Sequence, residues 1–223
     1  GFVGDPDDQV EGWFVHGSPL GIKEVPLPRG IFPEYADKDP AADLTTLASE
    51  IHDGRKSRAE RDPHAVAEIE HMVSKRWIKK FKSKFEAKRF LRGKVVLSDL
   101  IVITKTKRKK QKGKVISTIK KRIILNLKRS GVTAVAVKGE RPELPRVLDV
   151  VFSSLELLRR RRNSLGKGLR QIILDFANAF FQFPGRADER RFFATRLGKA
   201  ILVWLRTAQG SRGAPLICGR ALA

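Results

Sequence analysis

The stretch Leu174 to Pro184, LDFANAFFQFP, decides how this chain is read. The short run Gln171 to Leu174 reads as a strand that delivers one carboxylate, Asp175, to its end. Ala177, Asn178 and Ala179 then allow a tight turn, after which Phe180 and Phe181 return to the interior. A carboxylate so placed is wet and rigidly held, and its oxygens suit a hard cation such as Mg2+. An Asp between a strand and a helix also serves as an N-cap. Taken alone, the residues leave both roles open for Asp175, and Phe180 is equally expected as a core aromatic.

Working outward, Phe192 to Arg206 reads as two strands around the turn LGKA, with Phe193, Ile201, Val203 and Leu205 pointing inward. Gln209 to Gly213 is a flexible loop, and Pro215 sits where a helix can begin without losing a hydrogen bond. Upstream, Pro145 precedes a helical stretch with Leu148, Val151, Leu155 and Leu158 on one face, ending in the basic run Arg159 to Arg162. Leu97 to Thr104 and Lys120 to Leu127 are β-branched, apolar runs, and the polar, basic segment between them contains Gly113. The economical reading is a hairpin with a long cationic tip. From Ser57 to about Phe81, Val66, Ile69, Met72, Val73 and Trp77 recur at helical spacing, which predicts one amphipathic helix. Residues 1–57 are rich in Gly, Pro and Asp without a sustained period, and read as loop or linker.

Charge sharpens this division of the 223 residues. Residues 1–70 carry 7 basic and 15 acidic side chains, residues 71–130 carry 22 and 2, and residues 131–223 carry 17 and 7. A block of sixty residues at net +20 repels itself unless a polyanion neutralises it, the electrostatic mark of a nucleic-acid binder. A solvated basic tail or an import patch has the same composition. A hydrophobic fraction of 41%, with 13 Phe and 3 Trp, is ample for a core. The lone Cys218 excludes an intramolecular disulfide and a cysteine-built zinc site, and its apolar surroundings favour a buried structural thiol. The four histidines, including His64 and His71 on the predicted helix, have no metalloprotease or zinc-finger spacing, and no Walker loop is present. No apolar run reaches the roughly 18 residues of a membrane span, and no signal pattern opens the chain. The expectation is therefore an intracellular protein, nuclear or cytoplasmic, without membrane contact. With Gly at position 1 and Met72 its only methionine, the chain reads as a piece of a longer translation product.

LDFANAFFQFP, followed by RRFFATR and then TAQGSRGAPL, resembles the polymerase core of reverse transcriptases from retrotransposons and retroviruses. LSDLIVITKTK and KKRIILNLKRSGV resemble the family's two fingers strands, and ERPELPRVLDVV the linker and helix that lead into the palm. The likeness covers about residues 64–223, in the family's order. It implies an α+β fold of the polymerase right-hand type: an irregular segment 1–57, basic fingers at 58–143 and a partial palm at 144–223, with an antiparallel sheet and packed helices. It also implies template-directed transfer of dNTPs to a primer 3′-hydroxyl by a two-metal mechanism, with an RNA template, a DNA primer and the rest of a polyprotein as partners.

Residue by residue, Asp175 matches the catalytic aspartate that binds both Mg2+ ions, and Phe176 the position whose backbone carbonyl helps hold one of them. Two such ions would activate the primer hydroxyl and stabilise the leaving pyrophosphate. Phe180 matches the aromatic gate against a ribose 2′-hydroxyl. Arg122 and Lys105 match the fingers cations that grip the triphosphate, where fixed charge stabilises the transition state, although in so basic a segment either could be a solvated charge. Gln209 and Gly210 match the loop lining the nucleotide pocket. Asn126 and Asn178 stand where the family commonly has Asp, which suggests a diverged or decaying copy. The second metal-binding motif, Tyr-x-Asp-Asp, is expected beyond the helix near Pro215 and is not contained in these residues, so the chain by itself reads as catalytically incomplete. A basic RNA-binding protein, ribosomal-like or a domesticated element, explains the charge equally well but leaves Asp175, Phe180 and Gln209-Gly210 without a role.

Overall fold

The computed structural model describes residues 7–35, 47, 58–111, 114–143, 145–160, 169–170 and 176–222. Asp175 and the run 171–174 before it lie outside the described residues, as do the hairpin tip at 112–113 and the basic positions 161–162.

The fold is α+β, with two antiparallel sheets among the described residues. The first is a three-stranded sheet in the order β1-β5-β4, made of β1 (Ile78–Phe81), β4 (Ala194–Leu197) and β5 (Ala200–Trp204). The second is a long hairpin of β2 (Asp99–Gln111) and β3 (Lys114–Asn126). Around them lie α1 (Gln9–His16), α2 (Pro63–Ser74), α3 (Lys84–Leu91), the short α4 (Val132–Val135), α5 (Val147–Arg160) and α6 (Ala214–Arg220).

β4 and β5 form where expected, joined at Gly198, whose positive φ of 59° suits glycine. Phe193, Ile201 and Val203 are buried and Leu205 is half-buried, but Leu202 and Trp204 are buried as well. β5 is the central strand and is covered on both faces, so its pattern is a continuous apolar run rather than an alternation. Pairing sets Ile78 opposite Trp204 and Lys80 opposite Leu202 on one face, and Lys79 opposite Val203 and Phe81 opposite Ile201 on the other. The first face joins the main core with Ile69 and Met72 of α2 and Leu100, Ile123 and Leu125 of the hairpin. The second packs on Ala87 and Leu91 of α3.

Three sequence expectations need correction. The single helix expected over residues 57–81 is shorter. Asp62 caps α2 by accepting from the His64 and Ala65 amides, the helix stops at Ser74, and Arg76 takes a left-handed φ of 58° that turns the chain into β1. The hairpin strands do not end at Thr104 and Lys120; antiparallel pairing runs on to Gln111 opposite Lys114, because ladder hydrogen bonds need no apolar side chains. The segment read as loop before residue 57 contains α1, which buries Trp13, and a backbone bridge from Ser18 to Gly185.

α5 forms where predicted, and the Arg146 amide donates to the Asp149 carboxylate at 2.7 Å at its start. Leu148, Val151, Leu155 and Leu158 of its apolar face are all exposed. α6 begins with Pro215 in its first turn, as expected. Cys218 is buried, and burial pushes its thiol pKa up.

A set of buried charges ties the N-terminal segment to the rest. The Arg220 guanidinium, fully buried, donates to the Asp7 carboxylate at 2.6 and 2.5 Å, to the Leu27 carbonyl and to Gln9, and stacks over Trp13. Glu140, also fully buried, accepts from the Arg29 amide at 2.9 Å and lies 3.8 Å from Arg220. Glu189 lies in a pocket of backbone amides, accepting from Leu20, Ile22, Lys23 and Glu24 at 2.5 to 3.3 Å. Burial raises its pKa, while the amide donors favour its ionised form. Such partners are what permit a carboxylate inside a core.

Candidate nucleotide and nucleic-acid site

Alternation along the hairpin sorts its side chains. Leu100, Ile123 and Leu125 are buried in the core, whereas Ile101, Ile103 and Arg122 are exposed. Ile103 pairs with Arg122, Ile101 with Ile124 and Lys105 with Lys120. Residues two apart on a strand share a face, so Arg122, Ile124 and Lys105 stand on the same outward surface. The apolar residues at the base, Leu100, Ile123 and Leu125, lock the register by burying the opposite face, and the cations therefore cannot slip inward.

The turn at Gln209 and Gly210 sits against this strand. The Leu125 amide donates to the Gln209 carbonyl at 3.1 Å. Gly210 has φ +103°, and a β-carbon there would lie 2.3 Å from the Leu125 carbonyl oxygen and 2.9 Å from Cγ2 of Ile124. No side chain fits, so glycine is what lets the turn approach β3 this closely. Gln209 is half-buried and Gly210 exposed.

The segment after Asp175 is connected to the same turn. Phe176 is half-exposed at 51%. Asn178 occupies left-handed space at φ 55°, where Asn is among the residues tolerated best, and opens the 3-10 turn Ala179–Gln182. Phe181 is buried as expected and stacks on Trp77 with ring centroids 4.7 Å apart. Phe180 is half-buried and packs against a cluster with Trp13, Phe183, Ile217 and Cys218. The Thr207 hydroxyl donates to the Phe180 carbonyl, and the Thr207 amide to that of Phe183 at 2.9 Å. Hydrogen bonds thus connect Phe180 to Thr207, and Gln209, two residues on, to β3 at Leu125. Asn126 ends β3 by accepting from the Lys128 amide at 3.3 Å, a local role that needs no charge.

Behind the hairpin, on its core side, Lys121 donates to Asp62 at 2.6 Å. That hydrogen bond holds the Asp62 carboxyl below the usual carboxylate range. A pocket of about 290 Å3 lies beside it, lined by His64, Ala65, Glu68, Lys121 and Ile123.

Of the expected site residues, Lys105 and Arg122 share the outward face of the hairpin, the Gln209-Gly210 turn packs on β3 at Ile124 and Leu125, and Phe180 is tied to that turn through Thr207. Asp175 is outside the described residues. Among the described residues, no group of three or more His, Cys, Asp and Glu side chains could hold a metal ion. The other acids downstream are committed elsewhere: Asp188 pairs with Arg186 and Lys23, and Glu189 with backbone amides. The buried Asp7–Arg220 pair and Glu189 carried no sequence signal, since their partners are 213 and up to 169 residues away. Comparison with protein-family models, curated proteins and solved structures finds no match to the chain. No helix among the described residues is long and apolar enough to cross a membrane.

Proposed function

We propose that this chain is the fingers and first palm segment of a reverse-transcriptase-like polymerase domain that binds a deoxynucleoside triphosphate, a primer and an RNA template. The observation that carries the reading is the seating of the Gln209-Gly210 turn on β3 at Leu125 and Ile124, on the strand that carries Arg122. Two stretches far apart in sequence, both singled out by their likeness to one family's nucleotide pocket, thereby meet.

In this reading Arg122 and Lys105 hold the triphosphate, the Gln209 amide and Gly210 backbone line the base and sugar, and Phe180 limits the room at the 2′ position. Fixed cations placed before the reaction offset the growing phosphate charge without reorganising. Asp175 and the Phe176 carbonyl would hold the Mg2+ ions, which supply activation of the primer hydroxyl and stabilisation of the leaving group. The described residues do not by themselves supply that metal set. Residues 1–223 contain no Tyr-x-Asp-Asp, so turnover requires carboxylates from outside them.

The test is primer extension on an RNA template by the chain fused to a palm hairpin that carries Tyr-x-Asp-Asp. The Asp175→Asn variant is expected to extend slower by orders of magnitude; equal extension removes Asp175 from the chemistry. A purely RNA-binding role is favoured by the cationic hairpin alone, and it predicts binding without extension in both proteins.

A further inference from the structure

A second cationic surface lies away from the hairpin. Residues 78–94, IKKFKSKFEAKRFLRGK, hold eight basic side chains and one acid, Glu86; Lys80 lies on the other face of the sheet and pairs with Glu70 at 2.6 Å, which leaves seven for this side. Ser83 accepts from the Glu86 amide at 3.2 Å, and the Glu86 carboxylate turns back to the Lys82 amide at 2.9 Å, so the only acid is engaged at the start of α3. α3 buries Ala87 and Leu91 against the sheet. Its outer side presents Phe85, 75% exposed, with Lys88 and Arg89 one turn further along, both exposed. Beside it Phe90 is 40% exposed and lies 4.0 Å beneath the Lys79 ammonium.

An exposed phenyl ring in the first turn of a helix flanked by cations costs solvation and provides nothing to the core. Exposed rings interleaved with Lys and Arg are what single-stranded nucleic acid uses: bases stack on the rings while phosphates meet the cations. The sheet separates this surface from the hairpin. Lys79, Phe81 and Val203 point to the α3 side, whereas Ile78, Leu202 and Trp204 point to the core that holds β2 and β3.

We propose that α3, with Lys79 of β1, is a docking site for single-stranded nucleic acid, distinct from the hairpin surface and independent of the polymerase reading. Charge selects a polyanion, and the open rings select unpaired bases over a duplex, whose bases are stacked on each other.

The experiment is fluorescence anisotropy of a labelled oligo(dT) of about 20 nucleotides, and of a duplex of equal length, titrated with the whole chain. Phe85→Ala is expected to weaken oligo(dT) binding about fivefold or more and to leave duplex binding unchanged, while Phe85→Tyr retains affinity. Lys88→Ala with Arg89→Ala is expected to weaken both probes and flatten the salt dependence. Phe85 is too exposed for its loss to unfold the protein, so unchanged oligo(dT) affinity in Phe85→Ala overturns the proposal. So does a result in which Phe85→Ala loses binding only to phosphatidylserine vesicles, which assigns the surface to an anionic membrane.

Discussion

The Leu125 amide donates a hydrogen bond to the Gln209 carbonyl at 3.1 Å, joining the edge of the cationic hairpin to a turn 84 positions later in the chain. That contact forms only because residue 210 has no β-carbon. The close approach of Gly210 to Leu125 and Ile124 is thus both a packing feature and the element that shapes the proposed nucleotide pocket.

Gly210→Ala is therefore expected to destabilise the fold by about 2–4 kcal/mol, from a left-handed residue combined with a clash against backbone. Gly198→Ala is the control: its φ is also positive, at 59°, but nothing lies within 4 Å of its added β-carbon, so it costs about 1 kcal/mol. Urea titrations of the two variants check the difference. Equal midpoints would show that the turn is not seated on β3.

Arg220→Met removes the buried guanidinium that donates to Asp7 and lies 3.8 Å from Glu140. Removing one partner of a buried pair costs about 3–5 kcal/mol. The loss should appear in thermal melts, and limited proteolysis should then cut the segment before α2 first. Arg220→Lys is expected to rescue little, because a single ammonium cannot serve Asp7, Gln9 and the Leu27 carbonyl together.

Glu189→Gln replaces an acceptor-only group by one whose amide nitrogen faces backbone donors. With four N–H groups converging on this carboxylate, the variant should lose about 3 kcal/mol in a denaturant titration, through donors left unpaired in a dry site. A change below about 0.5 kcal/mol would contradict that arrangement.

Asp62 supplies a pH dependence. Its carboxyl pKa is depressed in the fold by the Lys121 hydrogen bond. The unfolded state therefore binds the proton more tightly, and the contribution is complete above the unfolded value, about 3.9, and is lost as pH falls through the folded value. Asp62→Asn keeps a capping oxygen for the His64 and Ala65 amides but removes the charge. Its stability profile should be flatter than wild type below about pH 4, the variant losing less on acidification. Identical acid limbs would show that the pair does not form.

The hairpin base, the β4–β5 ribbon, α5 and the Pro215 helix start were legible in sequence because each follows from local pattern: alternation, helical spacing or a first-turn proline. The packing of the Gln209-Gly210 turn on β3 was not derivable from spacing, since it joins positions 84 residues apart. Trp13, Asp7, Glu140 and Glu189 escaped notice for a different reason. A buried charge in a Gly- and Pro-rich segment looks like a solvated one until its partner is known, and the partners here are supplied by α6 and by backbone amides. The end of α2 was misplaced because Trp77 and Phe81 continue a helical count across Arg76, where the backbone reverses.

The most direct measurement of the proposed nucleotide pocket is titration of the whole chain with a fluorescent deoxyadenosine triphosphate in Mg2+, comparing wild type with Arg122→Ala. Arg122 is exposed, so its loss should leave the fold intact. Saturable binding that weakens tenfold or more in Arg122→Ala, and stays unchanged in Phe85→Ala, is the predicted result, since a charged hydrogen bond to phosphate contributes about 1.5–3 kcal/mol. Equal affinity in wild type and Arg122→Ala would contradict the assignment of this surface to the triphosphate.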